Sequence, residues 1–252
     1  MQKEFLLLEE VIIEKSKKCP VYYIANPGNY GDALIRYATL KFFRDIGLNF
    51  TELTSFKTNK REWWPTRFQP NAILIFGGGG AWCDLWNHES LVKKASKHFK
   101  HIIVLPSTYE ITPSISNATY FCRDQYESKE QIPDALFCHD MAFYLGSIST
   151  PEGKGTGYFF RTDKESAGMI EIPMSNNDIS SKGNHNTPIY SFFDETSQFS
   201  IIMTDRLHVA IAASLMGKEV HLYAGSYFKN RAVYLSTLKK YFPNVHFHEK
   251  TD

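Results

Sequence analysis

The sequence predicts an α/β protein built on parallel sheets in two lobes, and three observations carry that expectation. Short, continuously apolar runs recur along the chain, each followed by a glycine-marked loop and then a helical pattern. Strands buried on both faces of a parallel sheet read this way. A stretch rich in Ser, Thr, Pro and Gly at 147–157 divides that pattern. The chain has 252 residues, 43% hydrophobic and 22% charged, an ordinary globular composition with room for two modest cores.

Taken in order, residues 1–18 mix apolar side chains with Glu9, Glu10 and Glu14 as an amphipathic helix. A secretory leader has a basic start and an unbroken apolar stretch, so none is expected. Residues 21–25 form a first strand, broken by Asn26-Pro27-Gly28-Asn29-Tyr30-Gly31, and a helix follows over 32–46, closed by Gly47. Residues 72–76 are a second strand, ending at a turn of four glycines from Gly77 to Gly80. A third strand, 102–105, is expected to stop at Pro106. Beyond the 147–157 break, Gly157-Tyr158-Phe159-Phe160 lead into Arg161, and the Asn/Ser-rich residues 175–188 read as loop. A strand at 199–203, a helix at 205–216 closed by Gly217, and a strand at 219–223 complete the pattern.

Charge and cysteine exclude some classes. Lys and Arg number 28 against 27 Asp and Glu, a net charge of +1. That balance gives no field for capturing nucleic acid, so any anion site has to be local. Cys19, Cys83, Cys122 and Cys138 are widely spaced, without a zinc pattern, and read as reduced, mostly buried thiols. No apolar run approaches the roughly 18–20 residues that span a bilayer. The expectation is a cytoplasmic protein, meeting a membrane only at its periphery, through a membrane-linked substrate.

Three segments carry chemistry. In the 26–34 loop, Gly28 and Gly31 would let the backbone pass close to a ligand, and Asp32 would either orient a hydroxyl or cap the helix. The spacing is not the dinucleotide fingerprint, and no Gly-Lys-Ser/Thr follows. The four glycines after the 72–76 strand mark a hard bend or a ligand contact. The third segment, Met203-Thr204-Asp205-Arg206-Leu207-His208-Val209, is the most informative. Thr204 or Asp205 is expected to cap a helix whose first turn holds Arg206 and His208. An Arg there opposes the helix dipole, and a bound anion would explain it. A lone histidine on a helix is usually structural, but beside Arg206 at a strand end His208 becomes a candidate for proton transfer. Arg161 and Lys229 alone would be solvated surface charges; joined to Arg206 they would hold a doubly charged substrate.

On these segments the chain resembles the polysaccharide pyruvyl transferases. NPGNYGDALI, ILIFGGGG, DALFCHDMAFYL and above all TDRLHVAIAASLMGKEV, with Lys229 downstream, run in the family's order from about residue 26 to 235. The resemblance implies two Rossmann-like lobes, similar to type B glycosyltransferases, with the active site in the cleft between them. Residues 1–150 would be the lobe of the glycine loops and the acceptor side. Residues 151–252 would be a shorter lobe on the phosphoenolpyruvate side. It implies transfer of the pyruvyl group of phosphoenolpyruvate to two sugar hydroxyls as a ketal, in surface or exopolysaccharide biosynthesis. Phosphoenolpyruvate would be the donor substrate, with no further cofactor and no metal, and a sugar or lipid-linked oligosaccharide the acceptor. Carried over residue by residue, Arg206 and His208 would serve phosphoenolpyruvate binding and acid catalysis. Arg161 and Lys229 would complete the anion site, and Asp32 would be a base. Gly28, Asn29, Gly31, Gly78 and Gly79 would contact substrate. A nucleotide-sugar glycosyltransferase and a non-catalytic sugar-phosphate binding protein are the alternatives that share the architecture.

Overall fold

The computed structural model describes residues 1–53, 69, 71–83, 88–168 and 170–249. They form an α/β protein of two compact units, one made of Met1–Asn26 with Thr39–Met141, the other of Pro27–Ala38 with Ala142–Asp252. Among the described residues no helix is long and apolar enough to cross a membrane.

The first unit opens with α1 (Gln2–Ser16), which buries Phe5, Leu8 and Ile12. That 3–4 spacing is one helix face, and each such side chain contributes about 1.5–3 kcal/mol on burial. The strands are β1 (Val21–Ile24), β2 (Thr51–Leu53), β3 (Ile73–Phe76), β4 (Gly79–Trp82), β5 (His101–Tyr109), β6 (Ala118–Cys122) and β7 (Leu136–Phe137). They pair in parallel in the order β2-β1-β3-β5-β6-β7, with β4 also on β5. Helices α2 (Tyr30–Asp45), α3 (His88–Ser96) and α4 (Glu127–Gln131) intervene, and the division between units passes through α2. Every residue of β1 and β3 is buried, as expected of strands covered on both faces.

Two sequence expectations fail here. The four glycines are not all turn, because Gly79 and Gly80 already belong to β4. Nor does Pro106 end a strand: β5 runs through it to Tyr109. Its pairing with β6 shifts register between Val104 and Ser107, and a missing N–H is tolerated where the ladder is already interrupted.

The second unit carries β8 (Thr156–Tyr158), α5 (Tyr190–Ser197), β9 (Ile201–Thr204), α6 (Leu207–Leu215), β10 (Glu219–Tyr223), α7 (Lys229–Val233), α8 (Lys239–Tyr241) and β11 (Val245–His248). The sheet is again wholly parallel, in the order β11-β10-β9-β8. Its strands do not follow the both-faces pattern. In β9 and β10, buried residues alternate with half-buried or exposed ones, so one face is fully covered and the other is not. Helix α6 is buried at all but one position, His208, which explains its run of small apolar residues. Gly217, at φ +71°, ends it, and the Lys218 N–H closes back on the Ala213 carbonyl at 3.0 Å.

Candidate functional site

Ligands of parallel α/β sheets bind beyond the carboxyl ends of the strands. In the second unit those ends lead into Arg161 after β8, Asp205 and Arg206 after β9, and the approach to Lys229 after β10. All are buried or nearly so. Local hydrogen bonds set the backbone there. The Thr204 hydroxyl donates to the Phe159 carbonyl at 2.7 Å and accepts the Arg206 N–H at 2.9 Å. Asp205 turns its carboxylate to the Arg161 N–H at 2.8 Å. Asn230, which the sequence did not single out, donates to the carbonyls of Asp205 (2.7 Å) and Tyr223 (2.9 Å), tying α7 to the ends of β9 and β10.

The expected helix cap differs in detail. Arg206 is itself the N-cap residue of α6 and its side chain makes no cap bond, while Thr204, one of the two expected caps, accepts the Arg206 N–H instead. His208 lies in the first turn as expected, half-buried.

The structure brings Arg161, Arg206 and Lys229 together, and with them carboxylates that the sequence reading missed. Lys229 Nζ meets Glu165 at 2.7 Å, and Glu165 meets Arg161 Nη1 at 2.7 Å. Arg161 Nε donates to Asp163 at 2.7 Å, and Asp163 meets Arg206 Nη1 at 2.9 Å. Arg206 then grips Asp178 through Nε at 2.9 Å and Nη2 at 2.7 Å. Charges alternate in sign along the whole chain of contacts. The anion demanded by an arginine at a helix N-terminus is thus supplied internally, by Asp178 and Asp163.

The network's titration follows from its geometry. Burial pushes Asp163 up, but the Arg161 hydrogen bond and the charges of Arg161 and Arg206 outweigh it and bring the carboxyl down to about 2. For Asp205 burial wins over the Arg161 N–H and the same two charges, and its carboxyl rises to about 6. Burial also opposes the Lys229 ammonium, yet Tyr227 and Glu165 more than offset it and raise its value. Beside Arg161 and Asp205 lies a small cleft of about 10 Å³, walled by Phe160, Ile170 and Tyr223.

The glycine loop belongs to this second unit. Asn29 Oδ1 accepts the Gly31 N–H at 2.8 Å, and Asp32 Oδ2 accepts the Asn29 N–H at 2.9 Å. This reciprocal pair is a capping box at the start of α2, so capping is the visible work of Asp32. Gly28 packs on the Asp32 carboxylate, where a Cβ would collide. The loop is held by the Asn29–Asn184 bridge and by Tyr30 Oη on the Pro188 carbonyl at 2.5 Å. A Cβ on Gly31 would sit 2.8 Å from His208 Nδ1. His208 and Asn29 Oδ1, at 3.1 Å, both crowd that position.

A family model for polysaccharide pyruvyl transferase matches residues 29–227, from this loop to just short of Lys229. The chain belongs to the polysaccharide pyruvyl transferase family. A solved structure of a functionally uncharacterised protein from Klebsiella pneumoniae is similar to it, with a TM-score of 0.81 and 27% identity over 98% of this chain and 99% of that one. No curated protein matches the chain.

The remaining glycine positions expected at a pyruvyl transferase site, Gly78 and Gly79, lie in the first unit. Strand order reverses there between β1 and β3, the usual ligand crevice of an open sheet. Chain-to-chain approach accounts for two glycines: a Cβ on Gly77 would meet the Asn26 nitrogen at 2.5 Å, and one on Gly78 would run into the Pro106 carbonyl. Gly79 has φ +146°, which favours glycine. The polar pair at this end is buried: His88 Nδ1 lies 2.8 Å from Asn26 Oδ1. His88 was also missed, and its sequence neighbourhood carries no signal for it. Among the described residues no three His, Cys, Asp or Glu side chains converge as a metal site. Cys83, Cys122 and Cys138 are buried thiols, and Cys19 is half-buried.

Proposed function

We propose that the protein transfers the pyruvyl group of phosphoenolpyruvate to two hydroxyls of a sugar as a cyclic ketal, in building a surface or secreted polysaccharide. The supporting observation, beyond family membership, is the gathering of Arg161, Arg206 and Lys229 at one sheet edge, with His208 two residues from Arg206 and the Gly31 backbone against its ring.

Phosphoenolpyruvate carries a carboxylate and a phosphate on its enol carbon, so the donor needs cations in a site shielded from water. Arg161 and Arg206 present guanidinium forks that suit both groups, and Lys229 supplies a point charge. His208 gives a proton to the methylene carbon, making a methyl group and an electron-poor central carbon. A sugar hydroxyl adds there and loses its proton, for which Asp32 is the proposed base. The carbon–oxygen bond to phosphate then breaks, phosphate leaves with the bond's electron pair, and the second hydroxyl closes the ketal with loss of its own proton. The cytoplasm, where phosphoenolpyruvate is available, is the proposed location. A sugar or lipid-linked oligosaccharide is the proposed acceptor.

The test is incubation with phosphoenolpyruvate and acceptors containing galactose, mannose or glucose, followed by phosphate release and product mass. Phosphate release coupled to a pyruvyl adduct is the expected result. Release of a nucleoside diphosphate from a nucleotide sugar, with phosphoenolpyruvate inert, would replace this reading with glycosyl transfer.

A further inference from the structure

The carboxylates of the charged network are not equivalent. Glu165 and Asp178 have side chains only 6% and 7% exposed, whereas Asp163 is 42% exposed. Asp178 is held by Arg206 and also by the Thr162 N–H and hydroxyl, each at 2.9 Å. Glu165 is shared between Arg161 and Lys229. Among the described residues Asp163 alone touches both arginines: Arg161 through Nε (2.7 Å) and Nη2 (3.2 Å), and Arg206 through Nη1 (2.9 Å). Its other side-chain bond is to the Glu165 N–H at 3.0 Å, within its own loop.

Two guanidinium groups converging on one carboxylate is how a protein grips the carboxylate or phosphate of a small ligand. Here the gripped oxygens come from the protein's own chain, at its most solvent-exposed member. Beyond Asp178 and Glu165, the face of the two guanidiniums that is open to water still takes one shared anion. We infer that Asp163 is a displaceable place-holder, its carboxylate filling the seat of the donor's anionic group on Arg161 and Arg206 until the donor arrives and expels it. This rests on the reading of those arginines as the donor site.

The expulsion is feasible on the same geometry. A carboxylate that is already 42% exposed regains water readily when it leaves. Arg206 keeps Asp178 and Arg161 keeps Glu165, so neither guanidinium is stripped bare. Mild acid does not empty the seat, because the carboxyl stays ionised down to about 2. A competing anion is what empties it. Asp163 therefore lowers the apparent donor affinity by the fraction of time it holds the seat, and admits only ligands that outbid an aspartate.

Calorimetry on Asp163→Asn, with phosphoenolpyruvate and inorganic phosphate as separate probes, tests this. The expected result is binding of both probes about tenfold tighter than in the wild type, as removing a self-competing state requires. Unchanged or weaker affinity would overturn the place-holder while leaving the donor reading intact. Tighter phosphate binding without phosphoenolpyruvate turnover would keep the place-holder and remove the donor reading. Binding of neither probe by either protein would overturn both. Should Asp163→Asn fail to fold, hydrogen exchange on the wild type gives the answer. Saturating phosphate is expected to speed exchange of the Glu165 amide, since its acceptor leaves, whereas an ordinary ligand would slow it. Slower or unchanged exchange there would overturn the inference.

Discussion

Two arginine–carboxylate arrangements sit at the carboxyl ends of the two sheets, and they differ in access to water. In the first unit, Arg123 after β6 pairs with Asp140 after β7 at 2.6 Å, with side chains 0% and 1% exposed, and Arg123 Nε donates to Thr108 at 2.8 Å. In the second unit, Arg161 and Arg206 are nearly as buried, but the carboxylate between them is open. The sealed pair leaves no opening for a ligand, so its work is to hold β5, β6 and the segment after β7 together. The open one reaches water through Asp163, as the proposed donor site requires. Burial of the partner, rather than the presence of an arginine, is what distinguishes the two.

If the open arrangement is the proposed donor site, the largest expected effect is at His208. His208→Ala is expected to cut turnover by roughly 100–10,000-fold, the range for a general acid, with the melting temperature and phosphoenolpyruvate affinity little changed. Single-turnover phosphate release and thermal unfolding on one preparation check this. A destabilised but fully active variant would return His208 to a packing role.

Breaking the sealed pair has the next largest effect, and on stability. Asp140→Ala strips the buried Arg123 guanidinium of its ion-pair partner, leaving only the longer-range charge of Asp124, and is expected to cost about 3–5 kcal/mol in denaturant unfolding. A loss below about 1 kcal/mol would mean that water reaches Arg123, and the contrast between the two arrangements would collapse.

Asp205 sharpens the comparison through pH. Its folded value of about 6 lies above the roughly 3.9 of an unfolded chain. A raised value favours the folded state fully below the unfolded value, and that contribution is lost as pH rises through about 6. Asp205→Asn has no such loss. Relative to wild type it is expected to gain on the order of 2–3 kcal/mol between pH 4 and pH 7, then level off. Parallel stability curves for the two proteins would show that Asp205 titrates normally.

The smallest effect is steric. Gly31→Ala puts a methyl 2.8 Å from His208 Nδ1, and a displaced ring is expected to lower turnover about tenfold with little change in melting temperature. Full activity would show that the ring has room to move.

Much of this protein is determined locally and was legible. Helix α1, strands β1, β3 and β10, the glycine stops at Gly47 and Gly217 and the parallel α/β class follow from periodicity and backbone preference, which act over a few residues. The capping alternative for Asp32 was readable for the same reason, since Asn29 is only three residues away. The clustering of Arg161, Arg206 and Lys229 was legible because each follows a strand of one parallel sheet, and topology sends such residues to one edge. Their counter-ions were not. Asp178 lies 28 residues from Arg206 and Glu165 lies 64 from Lys229, in loops whose sequence sets no direction. Pro106 within β5 and Gly79 and Gly80 within β4 depend on which strand lies alongside, a choice made by packing. The sequence by itself determined which side chains could grip an anion. Only the tertiary structure decided which carboxylates they hold, because ion pairs form between groups that the folded chain, and not their order along it, makes neighbours.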